Sequence, residues 1–213
     1  MRYFKYLVGL GLLMLAIAGQ VSADQSINFQ KSHAQVWNEF ADKTLQLHEQ
    51  LIKKTDHSVK STTGGYAGMP DFYKEDSYYD KKTNQLISRL QWERENPQHL
   101  HTIEVYVRDD KGRVLRDYIA AYLPTYRNAP TQTLISLHAY NGQLHAFRTF
   151  DASGARILER CTGMLSKVEV NMLLDEDEIY AALEGRSKVM KQKDYQTCFK
   201  GLPEKAGKYL SPQ

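Results

Sequence analysis

The sequence lacks the short motifs that identify a reaction or a cofactor. It contains no Gly-x-Ser-x-Gly, no His-Glu-x-x-His and no phosphate-binding Gly-Lys-Ser/Thr loop. Neither Cys-x-x-Cys nor Cys-x-x-Cys-His occurs, which argues against thioredoxin-like redox chemistry and covalent c-type haem. These absences favour a protein that is not an enzyme. The alternative is an unrecognised hydrolase whose site is assembled only by the fold.

Long runs of lysine and arginine are also absent. The formal net charge is +3, and loss of Arg2 and Lys5 with a leader would lower it to +1. Nucleic-acid binding requires a concentrated basic surface. The composition therefore predicts a protein or small-molecule partner and no nucleic acid.

Only one long apolar run is present, and it lies at the start of the chain. Residues 7–18 carry no charge, follow Arg2 and Lys5, and precede the small-residue sequence Val21-Ser22-Ala23. This order is typical of a cleavable signal peptide, and the run is shorter than the roughly 20 apolar residues of a membrane span. We expect signal peptide 1–23, a single domain over 24–213 without a membrane span, and export to the periplasm or the medium. An uncleaved anchor is the alternative.

The sequence has two cysteines, Cys161 and Cys198. An exported chain meets oxidising conditions, so an even count predicts a disulfide bond. Closing a loop of about 38 residues would stabilise the fold by about 4 kcal/mol in the chain-entropy model. Free or metal-binding thiols are the alternative.

Periodicity predicts an α+β fold. Apolar residues recur at three- and four-residue steps over 32–54, which indicates an amphipathic helix packed on one face of a sheet. From residue 78 to 161, alternating patterns broken by turn signals predict an antiparallel meander of about six strands. A partly closed β-barrel is the alternative. Short helices follow: Asp175 would cap the first, Gly185 would end it, and 204–213 would form a loose tail.

A segment rich in glycine and tyrosine separates the first helix from this meander. Three glycines and a proline between 64 and 70 predict a loop over 55–77, and long loops of this kind are often functional. The chain has 14 tyrosines, whose rigid rings and polar tips suit recognition. The residues expected to bind a ligand are Tyr66, Phe72, Tyr73, Tyr78 and Tyr140.

The dipeptide Asn141-Gly142 predicts a tight β-hairpin. A two-residue loop at these positions would pair Tyr140 with Gln143 and His138 with His145, bringing the two imidazoles into contact. They could hold zinc or copper, and His99 and His101 could complete a four-histidine site. An exposed face with inert histidines is the alternative.

Together these features predict an exported, non-catalytic binding or assembly protein. It would recognise a protein, a peptide or a small ligand through the aromatic loop and the neighbouring sheet face. A histidine-based, metal-binding periplasmic protein is the second interpretation, and the hydrolase is the third. No resident cofactor is expected beyond the possible zinc or copper.

Overall fold

A computed structural model describes residues 21–124 and 128–213, with the backbone alone for 21–32. The charged and apolar parts of the predicted signal peptide, residues 1–20, lie outside the described residues. No helix in the described part of the chain is long and apolar enough to cross a membrane.

A single antiparallel sheet dominates the structure, and its strands follow one another in chain order. The predicted meander is confirmed, but it has nine strands rather than six and is not closed into a barrel. The strands are β1 (His57–Tyr66), β2 (Met69–Asp80), β3 (Leu86–Glu93), β4 (Leu100–Arg108), β5 (Val114–Ala121), β6 (Gln132–Asn141), β7 (Gln143–Phe150), β8 (Arg156–Leu165) and β9 (Val168–Asp175).

The prediction of a loop over 55–77 is wrong, because this segment forms most of the β1–β2 hairpin. Its glycines serve the hairpin rather than break it. A Cβ on Gly65 would lie 1.9 Å from the Met69 carbonyl oxygen, so the close approach of the two strands requires glycine there. Gly68 takes a positive φ of 83° in the turn, which glycine adopts without strain.

The long helix α1 (Val21–Lys54) packs across β3, β4, β5 and β6. It begins before the predicted residue 32 and ends at Lys54 as predicted. Phe40, Ala41 and Leu47 enter the core from this helix. We call the side of the sheet that contacts α1 the helix face and the opposite side the outer face.

The C-terminal segments cover the helix face of the last strands. Asp175 caps α2 (Glu176–Leu183) through a capping box, as predicted, and Gly185 follows with a positive φ of 78°. Short 3₁₀ helices at Val189–Lys191 and Gly207–Leu210 flank α3 (Lys193–Cys198).

The predicted disulfide bond between Cys161 in β8 and Cys198 in α3 is present, and both residues are fully buried. The predicted loose tail is wrong. Ala206 is only 1% exposed, and the Glu204 carboxylate pairs with the Arg156 guanidinium. The chain after the disulfide is thus held by apolar burial and by charge.

Candidate functional site

An open groove lies where the sheet extends beyond α1. The helix packs mainly across β3 to β6 and also touches β2, where His48 contacts Tyr78. Farther along β1 and β2 the groove lies open. The groove has a volume of about 650 Å³, within the range of small-molecule sites. Its lining residues come from three neighbouring strands and the β3–β4 connection: Ser61, Thr62, Thr63, Lys74, Asp76, Trp92, Glu93, Arg94 and Pro97.

Strand register explains why these side chains converge. Thr63 pairs with Lys74, and Lys74 pairs with Trp92, so the three side chains share one face of adjacent strands. Ser61 and Asp76 form the next cross-strand pair on the same face. The half-buried indole of Trp92 supplies the apolar surface, and hydroxyl and charged groups surround it.

The polar groups of the groove are partly organised by one another. The Lys74 ammonium lies 3.0 Å from a carboxylate oxygen of Asp76, and the Ser61 hydroxyl donates to that carboxylate. The Arg94 guanidinium lies 3.5 Å from the Asp71 carboxylate. Because Lys74 and Arg94 remain about half exposed, their N–H groups are available to a ligand.

Three of the predicted ligand-binding aromatics gather at the same end of the sheet. Tyr66, Phe72 and Tyr73 surround His101, with ring centroids 5.0 to 6.1 Å from the imidazole. This aromatic cluster is a neighbour of the groove, because the backbone N–H of Arg94 donates to the Phe72 carbonyl, but none of its four rings lines the groove. Burial lowers the pKa of His101, so the imidazole is neutral at physiological pH.

The other two predicted ligand-binding tyrosines lie elsewhere. Tyr78 contacts the imidazole of His48 beneath α1, with 4.6 Å between ring centroids. Tyr140 stacks on His145 on the outer face, with 4.7 Å between centroids. The structure therefore groups three of the five predicted residues and separates the remaining two.

His138 and His145 are in contact, but the predicted register is wrong. Tyr140 pairs with His145 and Asn141 with Leu144, so the turn lies at Gly142 and Gln143, one residue later than predicted. The two histidines meet diagonally, with His138 Nδ1 2.9 Å from His145 Nε2. The Asn141 amide donates to three C-terminal carbonyls, those of residues 197, 198 and 200, and this tertiary anchor holds Asn141 in the strand.

Asp117 extends the histidine pair into a hydrogen-bonded chain across β5, β6 and β7. Its carboxylate lies 2.6 Å from His138 Nε2. The two ring centroids are 5.2 Å apart and the ring planes differ by 10°. Because the 2.9 Å between the bonded nitrogens accounts for most of this distance, the rings lie edge to edge. If His138 Nε2–H donates to the Asp117 carboxylate, His145 Nε2–H donates to His138 Nδ1, and a lone pair remains at His145 Nδ1. Burial and the neighbouring His138 lower the pKa of His145.

This arrangement leaves little room for a metal at His138, because both of its ring nitrogens already have partners. His99 faces Glu93, and His101 contacts Tyr66, so neither joins the other histidine pair. In residues 21–124 and 128–213, no group of three or more His, Cys, Asp or Glu side chains is placed to hold a metal ion. Binding by the His138–His145 pair alone stays a prediction.

Sequence reasoning missed Asp117 and the groove residues Trp92, Lys74 and Asp76. The available signal was the alternation of polar and aromatic residues over 57–80, which is typical of strands. Interpreting that segment as a strand pair would have placed Lys74 and Asp76 on one face. Asp117 had no comparable signal, because a long connection joins β5 to β6 and leaves their register open.

Comparisons of the chain with protein-family models, with curated proteins and with solved structures find no match. No fold relative therefore supplies an expected activity. Function has to be inferred from the chemistry of the sites themselves.

Proposed function

We propose that this chain is an exported, non-catalytic binding protein whose groove beside Trp92 holds a small polar ligand with one apolar face. A short oligosaccharide is the ligand class that fits this chemistry best. The observation that carries the proposal is the groove of about 650 Å³ with an indole and polar groups of both charge signs.

The balance of charges in the groove favours a neutral ligand. Lys74 and Arg94 supply two cations, and Asp76 and Glu93 supply two carboxylates. A ligand with a net charge would gain attraction from one pair and repulsion from the other. Sugar hydroxyls can donate to carboxylates and accept from N–H groups, so they can use both kinds of partner.

The aromatic cluster extends the apolar surface beyond the groove. Tyr66 and Met69 are exposed at the tip of the β1–β2 hairpin. Tyrosine provides a large, rigid contact area at low entropic cost, which suits recognition of a ring or a chain of rings. The proposed ligand would thus lie along the hairpin, with one unit on Trp92 and further units towards Tyr66.

The metal-binding and hydrolase interpretations have less support. Among the described residues, no serine, threonine or cysteine side chain bonds to His138 or His145. A Ser88–His48 hydrogen bond of 2.7 Å does exist, but both residues are buried beneath α1, out of reach of a substrate. A nucleophile needs access as well as a base.

Trp92 offers a direct test of binding. The chain has two tryptophans, so Trp37→Phe leaves the Trp92 indole as the only one. We expect saturable changes in its fluorescence on titration with chitin or maltose oligomers. Asp76→Ala should weaken binding about tenfold, the effect of losing one charged hydrogen-bond partner.

Lys60→Ala provides the control, because Lys60 lies in β1, one of the strands that form the groove, but packs on Tyr79 and does not line the groove. It should leave the affinity unchanged. No saturable signal with either sugar series, or equal losses in both variants, would contradict the proposal.

Export is supported by the apolar N-terminal run and by the disulfide bond. Cleavage after Ala23 would leave a mature chain that starts at Asp24, within α1. N-terminal sequencing of the secreted or periplasmic protein should therefore begin Asp-Gln-Ser. A chain that keeps residues 1–23 in the membrane fraction would contradict this part of the proposal.

A further inference from the structure

The two edges of the sheet differ in how they are protected against pairing. Natural edge strands commonly carry lysine, proline or a bulge. β1 has Lys60 and an irregularity between Gly64 and Tyr66. β9 contains neither lysine nor proline, and its eight residues pair with β8 without a register shift.

β9 also exposes apolar side chains along an open groove. Val168 is 65% exposed and Leu173 is 58% exposed. A groove of about 510 Å³ runs the whole length of the strand, bounded on its other side by α2 and the segment after it. Apart from its last residue, Asp175, which caps α2, β9 has only β8 as a strand partner among the described residues.

We propose that β9 pairs antiparallel with β9 of a second copy of this chain, joining two sheets across a two-fold axis. This inference is independent of the proposed ligand, because the Trp92 groove lies at the opposite edge of the sheet. The Trp92 groove of each copy would remain free in the dimer.

The alternation of side chains restricts the register of such a pair. Directly opposed residues of an antiparallel pair lie on the same face of the sheet, and side chains alternate between the faces along a strand. In a symmetric pair, the two-fold axis must therefore pass through a pair formed by the same residue of both copies, not between two residues. A centre at Met172 would oppose Glu169 with Asp175, two like charges. A centre at Asn171 opposes Leu173 with Glu169 and brings Lys167, in the β8–β9 turn, close to Asp175, so the repulsion is replaced by a proximity of opposite charges.

The register centred on Asn171 can be tested by charge. Leu173→Glu would oppose Glu169 of the second copy, whereas Leu173→Lys would face the same residue with opposite charge. Both variants lose the same apolar side chain, and each contact occurs twice in a symmetric dimer. We expect the Glu variant to dimerise about tenfold more weakly than the Lys variant.

Sedimentation of the mature chain up to about 1 mM would measure this difference. Val59→Glu is the matched control, because Val59 is exposed on the other edge strand, and it should not change dimerisation. A wild-type chain that stays monomeric would overturn the proposal, as would equal dissociation constants for the two Leu173 variants.

Cross-linking supplies a second measurement that does not depend on affinity. Asn171→Cys would place two thiols opposite each other across the axis, and oxidation should give a disulfide-linked dimer. Leu173→Cys, whose thiol would face Glu169, should give little. The native cysteines are buried and paired, so they do not compete. Equal cross-linking by both variants would contradict the register.

Discussion

The two ends of the sheet use charged side chains in different ways. At the β7–β8 end, the Arg148 and Glu159 side chains are buried and paired beneath the C-terminal segments. At the β1–β2 end, Lys74 and Asp76 form an ion pair at the wall of an open groove. A buried pair needs every partner to be satisfied, whereas an exposed pair can exchange its partners for water or a ligand. The charges of the covered end thus stabilise the fold, whereas those of the open end remain available to a ligand.

Removing Glu159 should give the largest effect at the covered end. Its carboxylate bonds to both Arg148 and Arg156 and accepts from the Tyr195 hydroxyl. Glu159→Ala would leave two buried guanidinium groups without this partner, and we expect a loss of about 5 kcal/mol in the free energy of unfolding. Urea unfolding measures it. A loss below about 1 kcal/mol, the value of a surface pair, would contradict the assignment.

Opening the disulfide bond should cost slightly less. The bond closes a loop with a sequence separation of 37 residues. Replacing both Cys161 and Cys198 by serine should lower the free energy of unfolding by about 4 kcal/mol. The same titration in the presence and absence of reductant provides the comparison. Equal stability of the oxidised protein and the double variant would show that the disulfide bond does not stabilise the fold.

Acid should destabilise the fold through His48, which lies between α1 and the sheet. Burial, together with the neighbouring His57, lowers the pKa of His48 to about 4. The unfolded chain therefore binds this proton more readily, so stability is complete above pH 6.5 and falls as the pH drops from 6.5 to about 4. The full loss is about 3 kcal/mol.

His48→Gln should reduce this pH dependence of unfolding without abolishing it. The pKa values of His101 and His145 are lowered too, and they contribute with the same sign. An unchanged stability profile between pH 7 and 4 in the variant would show that His48 is not the main group.

The smallest effect on stability is expected at the open end. Asp76→Ala removes an ion pair whose lysine side chain is 52% exposed. We expect a change of less than about 1 kcal/mol in the free energy of unfolding, together with the loss of ligand affinity described above. A destabilisation comparable to that of Glu159→Ala would remove the distinction between the two ends.

Local signals predicted the covered end better than the open one. The Asp175 cap and the Cys161–Cys198 bond follow from capping chemistry and redox compartment. These features depend on few residues or on a covalent bond. The buried network around Glu159 was not foreseen, because it needs three elements that only the fold brings together.

The open end was harder because its features depend on tertiary relationships. Glycine generally weakens a strand, but Gly65 allows β1 and β2 to approach each other closely. The groove lies beyond the part of the sheet that α1 mainly covers, β3 to β6 with Tyr78 of β2, and the periodicity of α1 does not indicate this limit. Tertiary contacts also explain the wrong β6–β7 register at the covered end, since Asn141 is fixed by carbonyls almost 60 residues away.

Chemical-shift mapping of the ¹⁵N-labelled mature chain during titration with a chitin or maltose oligomer tests the central claim most directly. Binding at the open end predicts saturable shifts in β1, in β2 and at the Trp92 indole N–H, with β7, β8 and β9 unchanged. Shifts confined to the histidine chain on the outer face, or none that saturate with either sugar series, would contradict it.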